Sequence, residues 1–232
     1  MKTIIADHDP TLIVLQTGNR AVLVAPGLQG RIFCQMQDML VHRFDPGPLA
    51  TARPGEFRNL GGNSLWPAPE GGPFAFNYLP DSDTWLVQGG INTTNYHITE
   101  QSARHVEIEK VTHLTNRRGV RLHLRFRRTV SLEEPPAFAT GPGLATLTYT
   151  CTDEIAPLEA YDRRTVLLAP WSLEQFPGSD GILAFARVHK DPATAVNTDF
   201  YGTPDARLEY RPGACLFHLG GPERLQIGIR VE

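Results

Sequence analysis

A chain of 232 residues and 25.7 kDa carries a formal net charge of −3 and a pI near 6.2, with 41% hydrophobic and 20% charged residues. That supplies enough apolar material for a sizeable core, in one large domain or two small ones. It offers no electrostatic reason to expect nucleic acid or an anionic membrane as partner. The 21 glycines and 19 prolines exceed the roughly 12% of average usage, which implies many turns and many short strands.

The first nine residues reach the charge of Asp7 without a long apolar stretch, unlike a signal peptide. No apolar run approaches the ~20 residues of a membrane span. Cys34, Cys151 and Cys215 are far apart and form no CxxC pair, which reads as reduced thiols. The expected location is cytoplasmic.

Along the chain, apolar residues alternate with period 2, and no segment keeps a 3.6-residue period for three turns. Residues 12–16 and 21–25 flank Thr17-Gly18-Asn19-Arg20 as a hairpin, and residues 31–36 and 39–44 form a second around Gln37-Asp38. A Pro/Gly-rich loop then runs from Asp45 to Arg58. Further strands are expected at 84–88, 104–114, 120–132, 144–151, 163–168, 182–188, 207–210, 214–219 and 224–231. Residues 133–143, rich in Pro and Gly, read as a crossing between sheets. No repeat or linker divides the chain, so one all-β sandwich or barrel over residues 1–232 is expected.

The strongest alternation sets Val120, Leu122, Leu124 and Phe126 on one face and Arg121, His123, Arg125 and Arg127 on the other. The basic row reads as a solvated outer face balanced by Glu107 and Glu109, rather than a grip for an anionic ligand. A loop at Arg117-Arg118-Gly119 places Glu109 opposite Arg127 and Leu114 opposite Leu122. A slip of one residue would place Glu109 opposite Phe126 and reverse a whole face.

Two segments could carry chemistry. In Asn59-Leu60-Gly61-Gly62-Asn63-Ser64-Leu65-Trp66-Pro67-Ala68-Pro69-Glu70-Gly71-Gly72, paired glycines permit close backbone approach to a ligand, and the prolines hold Trp66 and Glu70 in place. A fixed indole beside a carboxylate and an amide suits a sugar ring, apolar on one face and hydroxylated at its rim. Equally, Trp66 could anchor the core and Glu70 cap a loop. In Leu168-Ala169-Pro170-Trp171-Ser172-Leu173-Glu174-Gln175-Phe176-Pro177-Gly178, Trp171 again neighbours polar side chains, and Gln175 can both donate and accept. Its alternative is an ordinary sandwich tryptophan with exposed neighbours.

The run GGNSLWPAPEGG, then APWSLEQFPG about a hundred residues on, then IGI near the end, resembles the galactose-mutarotase-like superfamily. The matching residues are Gly61, Gly62, Trp66, Pro69, Glu70, Trp171, Leu173 and Gln175. The resemblance implies a β-supersandwich of large, curved antiparallel sheets with a sugar-binding concave face. Because the strand-like residues 226–231 come early for that family, some closing strands are expected to be reduced or absent. It also implies aldose-epimerase-like chemistry, with a histidine acid on the ring oxygen and a glutamate base on the anomeric hydroxyl. The histidine motif of that family has no counterpart here: Phe76-Asn77-Tyr78 lacks a preceding histidine, and so does Leu147-Thr148-Tyr149-Thr150.

The expected partner is therefore a small-molecule carbohydrate, with neither nucleic acid nor membrane involved. Glu70 or Glu174 is the candidate base and His97 the candidate acid, while Asn63, Trp66, Trp171 and Gln175 are the candidate substrate contacts. The eight histidines form no HExxH motif or tight cluster, so no metal and no cofactor is expected. Isomerisation at a sugar ring competes with carbohydrate binding without catalysis, and with a structural β domain whose tryptophans are core. A carboxylate and a histidine across one pocket would mark the enzyme, and aromatics alone would mark the binder.

Overall fold

A computed structural model describes residues 3–189, 191–199, 204–221 and 223–230. The chain divides into two compact units, Met1–Gln175 and Phe176–Glu232. Both are built from antiparallel sheets, and among the described residues no helix exceeds five residues. The all-β, sandwich-like class expected from the alternation is what the chain adopts.

In the first unit, β1 (Ile13–Thr17), β2 (Arg20–Ala25), β3 (Arg31–Met36) and β4 (Met39–Leu40) follow as hairpins. After the short α1 (Gly47–Thr51) comes β5 (Gly62–Ala68), and after α2 (Gly89–Asn92) come β6 (His97–Gln101), β7 (His105–Thr115), β8 (Arg121–Glu133) and β9 (Thr148–Pro157). The unit ends on β10 (Ala169–Gln175). One sheet has the order β1-β2-β3-β5-β10 with β4 also on β3, and the other is the meander β6-β7-β8-β9.

The two sheets share one core. Ile13, Leu15, Val22, Val24 and Ile32 of the first pack in a cluster with Val106, Ile108, Leu122, Leu124, Phe126 and Val130 of the second. Fully burying each such side chain contributes about 1.5–3 kcal/mol. A second cluster of Ile5, Ala21, Leu23, Ala25, Leu28, Phe33 and Leu60 covers the other face of β2 and β3. Burial on both faces explains why Ala21-Val22-Leu23-Val24-Ala25 is an unbroken apolar run.

The β7–β8 hairpin has the register that charge and apolar matching require: Glu109 opposes Arg127, and Leu114 opposes Leu122. Gly119 takes φ +79° in its turn. Glu109 lies 3.1 Å from Arg127 and 3.6 Å from Arg125, so these two members of the basic row are paired along the sheet surface.

Several expectations differ. Of residues 39–44, only Met39–Leu40 form a strand. Residues 133–143 connect β8 to β9, neighbours in one sheet, because the Pro/Gly stretch closes a wide hairpin instead of crossing. Residues 163–168 form turns rather than a strand; pairing begins at Ala169, where the chain meets β5. Residues 84–88 contribute only an isolated bridge, Tyr78 to Trp85.

The second unit contains β11 (Leu183–Arg187), α3 (Pro192–Ala195), β12 (Val196–Asn197), β13 (Leu208–Arg211), β14 (Ala214–His218) and β15 (Gly228–Ile229). Its strands form the sheet β11-β14-β13 and the pair β12-β15. Of the segment expected at 224–231, residues 228–229 are the strand, and residue 231 lies outside the described residues. Among the described residues, no helix is long and apolar enough to cross a membrane.

Candidate functional site

The two motif segments are adjacent strands. β5 and β10 pair antiparallel with Trp66 opposite Trp171, Asn63 opposite Glu174 and Gly62 opposite Gln175. Gly61 and Gly62 start this ladder with φ of +85° and +68°. A Cβ on Gly61 would overlap the Arg43 carbonyl, and one on Gly62 would lie 2.7 Å from the Phe33 ring. The close approach these glycines permit is thus to their own chain. Residues 41–43 run alongside: Val41 N–H donates to Cys34 O, and Arg43 N–H to Gln175 O.

Cross-strand partners share a face, and faces alternate along a strand. Trp66, Trp171, Leu173 and Gln175 therefore lie on one side of the ladder, and Asn63, Ser172 and Glu174 on the other. Asn63 also pairs in register with Ile32, whose face looks into the core between the sheets.

On the face that carries Asn63 the polar groups form one connected network. Cys34 N–H donates to His42 Nδ1 at 2.9 Å, which in the neutral ring places the proton on Nε2. His42 Nε2 meets Glu174 Oε2 at 2.5 Å. Asn63 Nδ2 donates to Glu174 Oε1 at 2.7 Å and to Ser172 Oγ at 3.0 Å. Asn63 Oδ1 accepts from Arg128 Nη2. Arg128 in turn donates through Nε to Asp153 Oδ1 at 2.7 Å and through Nη1 to Gly30 O at 2.9 Å. The Tyr149 hydroxyl donates to Glu174 Oε1 at 3.4 Å.

Arg128 is fully buried, whereas 39% of the Glu174 side chain remains exposed, so the network meets solvent at this carboxylate. Burial alone would raise the Glu174 carboxyl, but His42, Asn63 and the Arg128 charge outweigh it and hold the group below its ordinary value. Burial pushes Cys34 and Cys151 each up to about 12, and it raises Tyr149 too, so all three keep their protons at neutral pH. The Arg128 guanidinium is held charged by Asp153 despite its desolvation. Chemically, the network presents one ionised acceptor at the surface, with a protonated hydroxyl beside it.

The other expected site residues fall as follows. Trp66 is 5% exposed, with Phe57 edge-on at 5.0 Å between ring centroids. Trp171 and Gln175 are half-buried. Glu70 lies two residues beyond β5 in an exposed turn, with its carboxyl raised by desolvation. His97 is the exposed first residue of β6, at the edge of the other sheet. The structure brings Asn63 and Glu174 together, and Trp66 with Trp171 and Gln175, on opposite faces of one ladder. Two shallow depressions, one lined by Gly72, Pro73, Asp81, Arg117 and Arg118 and the other by Gln16, Gly18, Asn19, Gln37 and Asp38, include none of these residues.

His42, Tyr149, Arg128 and Asp153 were not expected at the site. Arg128 carried a signal, since it occupies an apolar-parity position between Phe126 and Val130. His42 carried none, because 132 residues separate it from Glu174. Among the described residues, no group of three or more His, Cys, Asp or Glu side chains is arranged to hold a metal ion. The three cysteines are free.

A family model described as "Family of unknown function (DUF6786)" matches residues 2–232. The chain belongs to DUF6786. That match spans both units, so the network at Glu174 and the small sheets after Gln175 are parts of one DUF6786 sequence. No curated protein and no solved structure matches this DUF6786 chain.

Proposed function

We propose that this protein is a carbohydrate-directed, mutarotase-like protein of the cytoplasm, with Glu174 as the carboxylate that engages the sugar. The observation that carries the reading is the Glu174 carboxylate itself: ionised, oriented by His42 and Asn63, and exposed at the end of a buried network. Acid/base isomerisation at a sugar ring needs an ionised base to take the anomeric proton, and a carboxylate below its ordinary pKa is available for that at neutral pH. Trp171 and Gln175 lie on the other face of the ladder, so the Glu174 reading does not draw on them. The motif resemblance points to the same ligand class.

Carbohydrate binding without turnover is the second reading, and one observation favours it. Both ring nitrogens of His42 are engaged, and His97 stands on an exposed strand edge of the other sheet, so neither serves as the acid opposite Glu174. The first experiment is a titration of isotope-labelled protein with neutral reducing sugars, followed by amide NMR shifts. Saturable shifts should cluster at residues 172–175 and at Tyr149. Shifts confined to the Arg117–Arg118 depression, or none with any sugar, would refute the carbohydrate reading.

A further inference from the structure

The Glu174 carboxylate has about four acceptor positions on its two oxygens. His42 occupies one on Oε2, while Asn63 and the Tyr149 hydroxyl take two on Oε1. Room remains for one more donor, such as a ligand hydroxyl. A glutamate on the last strand of a sheet, 39% exposed, would otherwise lose considerable rotamer freedom on being held in one direction. The group that holds it is unusual in its own attachment. His42 is 4% exposed, and its Nδ1 accepts a backbone N–H that cannot rotate away.

We propose that His42 is the positioning residue of Glu174, and that the Cys34 backbone N–H sets the tautomer through which it acts. This inference rests on the reading of Glu174 as the working carboxylate. The amide bond at Nδ1 leaves Nε2 as the donor, and the 2.5 Å contact from Nε2 fixes the direction of Oε2. The carboxylate is then held by His42 on Oε2 and by Asn63 and Tyr149 on Oε1, so the acceptor position left on Oε2 has a defined direction. The other titratable groups around Glu174 are Cys34 on β3, Arg128 on β8, and Tyr149, Cys151 and Asp153 on β9. Of these, Arg128 reaches Glu174 only through Asn63, which makes His42 the nearest partner able to hold the anion from the core side.

The test uses the full chain with labelled histidine and glutamate. In the wild type, His42 should show an imine-type Nδ1 and a protonated Nε2, and the Glu174 carboxyl should titrate below its ordinary midpoint. His42→Phe keeps ring volume but removes the donor, and should move that midpoint up by about one pH unit, a tenfold change in its protonation constant. His42→Gln restores a donor of similar reach and should recover at least half of the shift. A wild-type proton on Nδ1, or a Glu174 midpoint unchanged in folded His42→Phe, overturns the proposal. If His42→Phe does not fold, the wild-type tautomer and carboxyl midpoint decide. These readouts require no sugar: a chain that passes them yet binds no carbohydrate overturns the function proposed above while the positioning role stands.

Discussion

Asn63 and Glu174 stand 111 residues apart in the chain and directly opposite each other on adjacent strands, joined by a 2.7 Å hydrogen bond. Asn63 also binds Arg128, so a single amide couples the surface carboxylate to the buried guanidinium. Asn63→Ala removes a donor from Glu174 and Ser172 and an acceptor from Arg128. The expected cost is about 1–3 kcal/mol, the penalty for buried groups left short of partners. Urea denaturation measures it, and a loss below about 0.5 kcal/mol would mean that water replaces the amide fully.

Arg128 and Asp153 form the network's buried ion pair, with side-chain exposures of 0% and 10%. Arg128→Met strands the Asp153 carboxylate, together with the Gly30 and Asn63 carbonyls that Arg128 served. Breaking a buried pair from one side costs about 3–5 kcal/mol. The double variant Arg128→Met, Asp153→Leu should recover much of that loss, because removing both charges removes the uncompensated one. A double variant no more stable than the single one would contradict this account of the pair.

Lys110 gives a pH signature. It is 3% exposed, donates to Gly90 O at 2.8 Å, and lies 4.8 Å from the Tyr96 ring centroid and 5.0 Å from that of Phe126. Desolvation, with Arg128 and Arg31 nearby, lowers its pKa to about 7, although the carbonyl and the two rings favour the ammonium. Between about 7 and the ordinary 10.5 the unfolded amine holds its proton while the folded one releases it. The unfolded state then binds more protons, so stability rises with pH across that window. Lys110→Met should flatten this rise in melting curves taken from neutral to alkaline pH. An unchanged slope would show that the carbonyl and the rings keep the ammonium charged.

The hairpin register was legible in the sequence because period-2 alternation binds charge to charge and apolar to apolar, as in Glu109 opposite Arg127. The same arithmetic places Arg128 and Lys110 on the inward face, so their burial was legible as well. β5 and β10 were not. Each contains a proline, and Pro67 opposes Pro170, a composition that reads locally as loop and becomes strand through pairing with the other segment. The glycine pair suggested ligand approach, whereas the neighbours it accommodates are the Arg43 backbone at Gly61 and the Phe33 ring at Gly62. The His42–Glu174 contact was invisible for a related reason: neither residue lies within one hairpin of the other, and no period encodes such a meeting.

The central claim is that Glu174 is the working carboxylate, and anomer exchange tests it most directly. Freshly dissolved pure anomers of neutral aldoses are followed by polarimetry with the wild type, Glu174→Gln and Glu70→Gln. The wild type should accelerate exchange, and Glu174→Gln should lose about 10²–10⁴-fold, the usual contribution of one positioned acid or base. Glu70→Gln, altered in an exposed turn outside the network, should retain the wild-type rate. Full activity in Glu174→Gln together with a loss of that size in Glu70→Gln would contradict the assignment and move the base to Glu70.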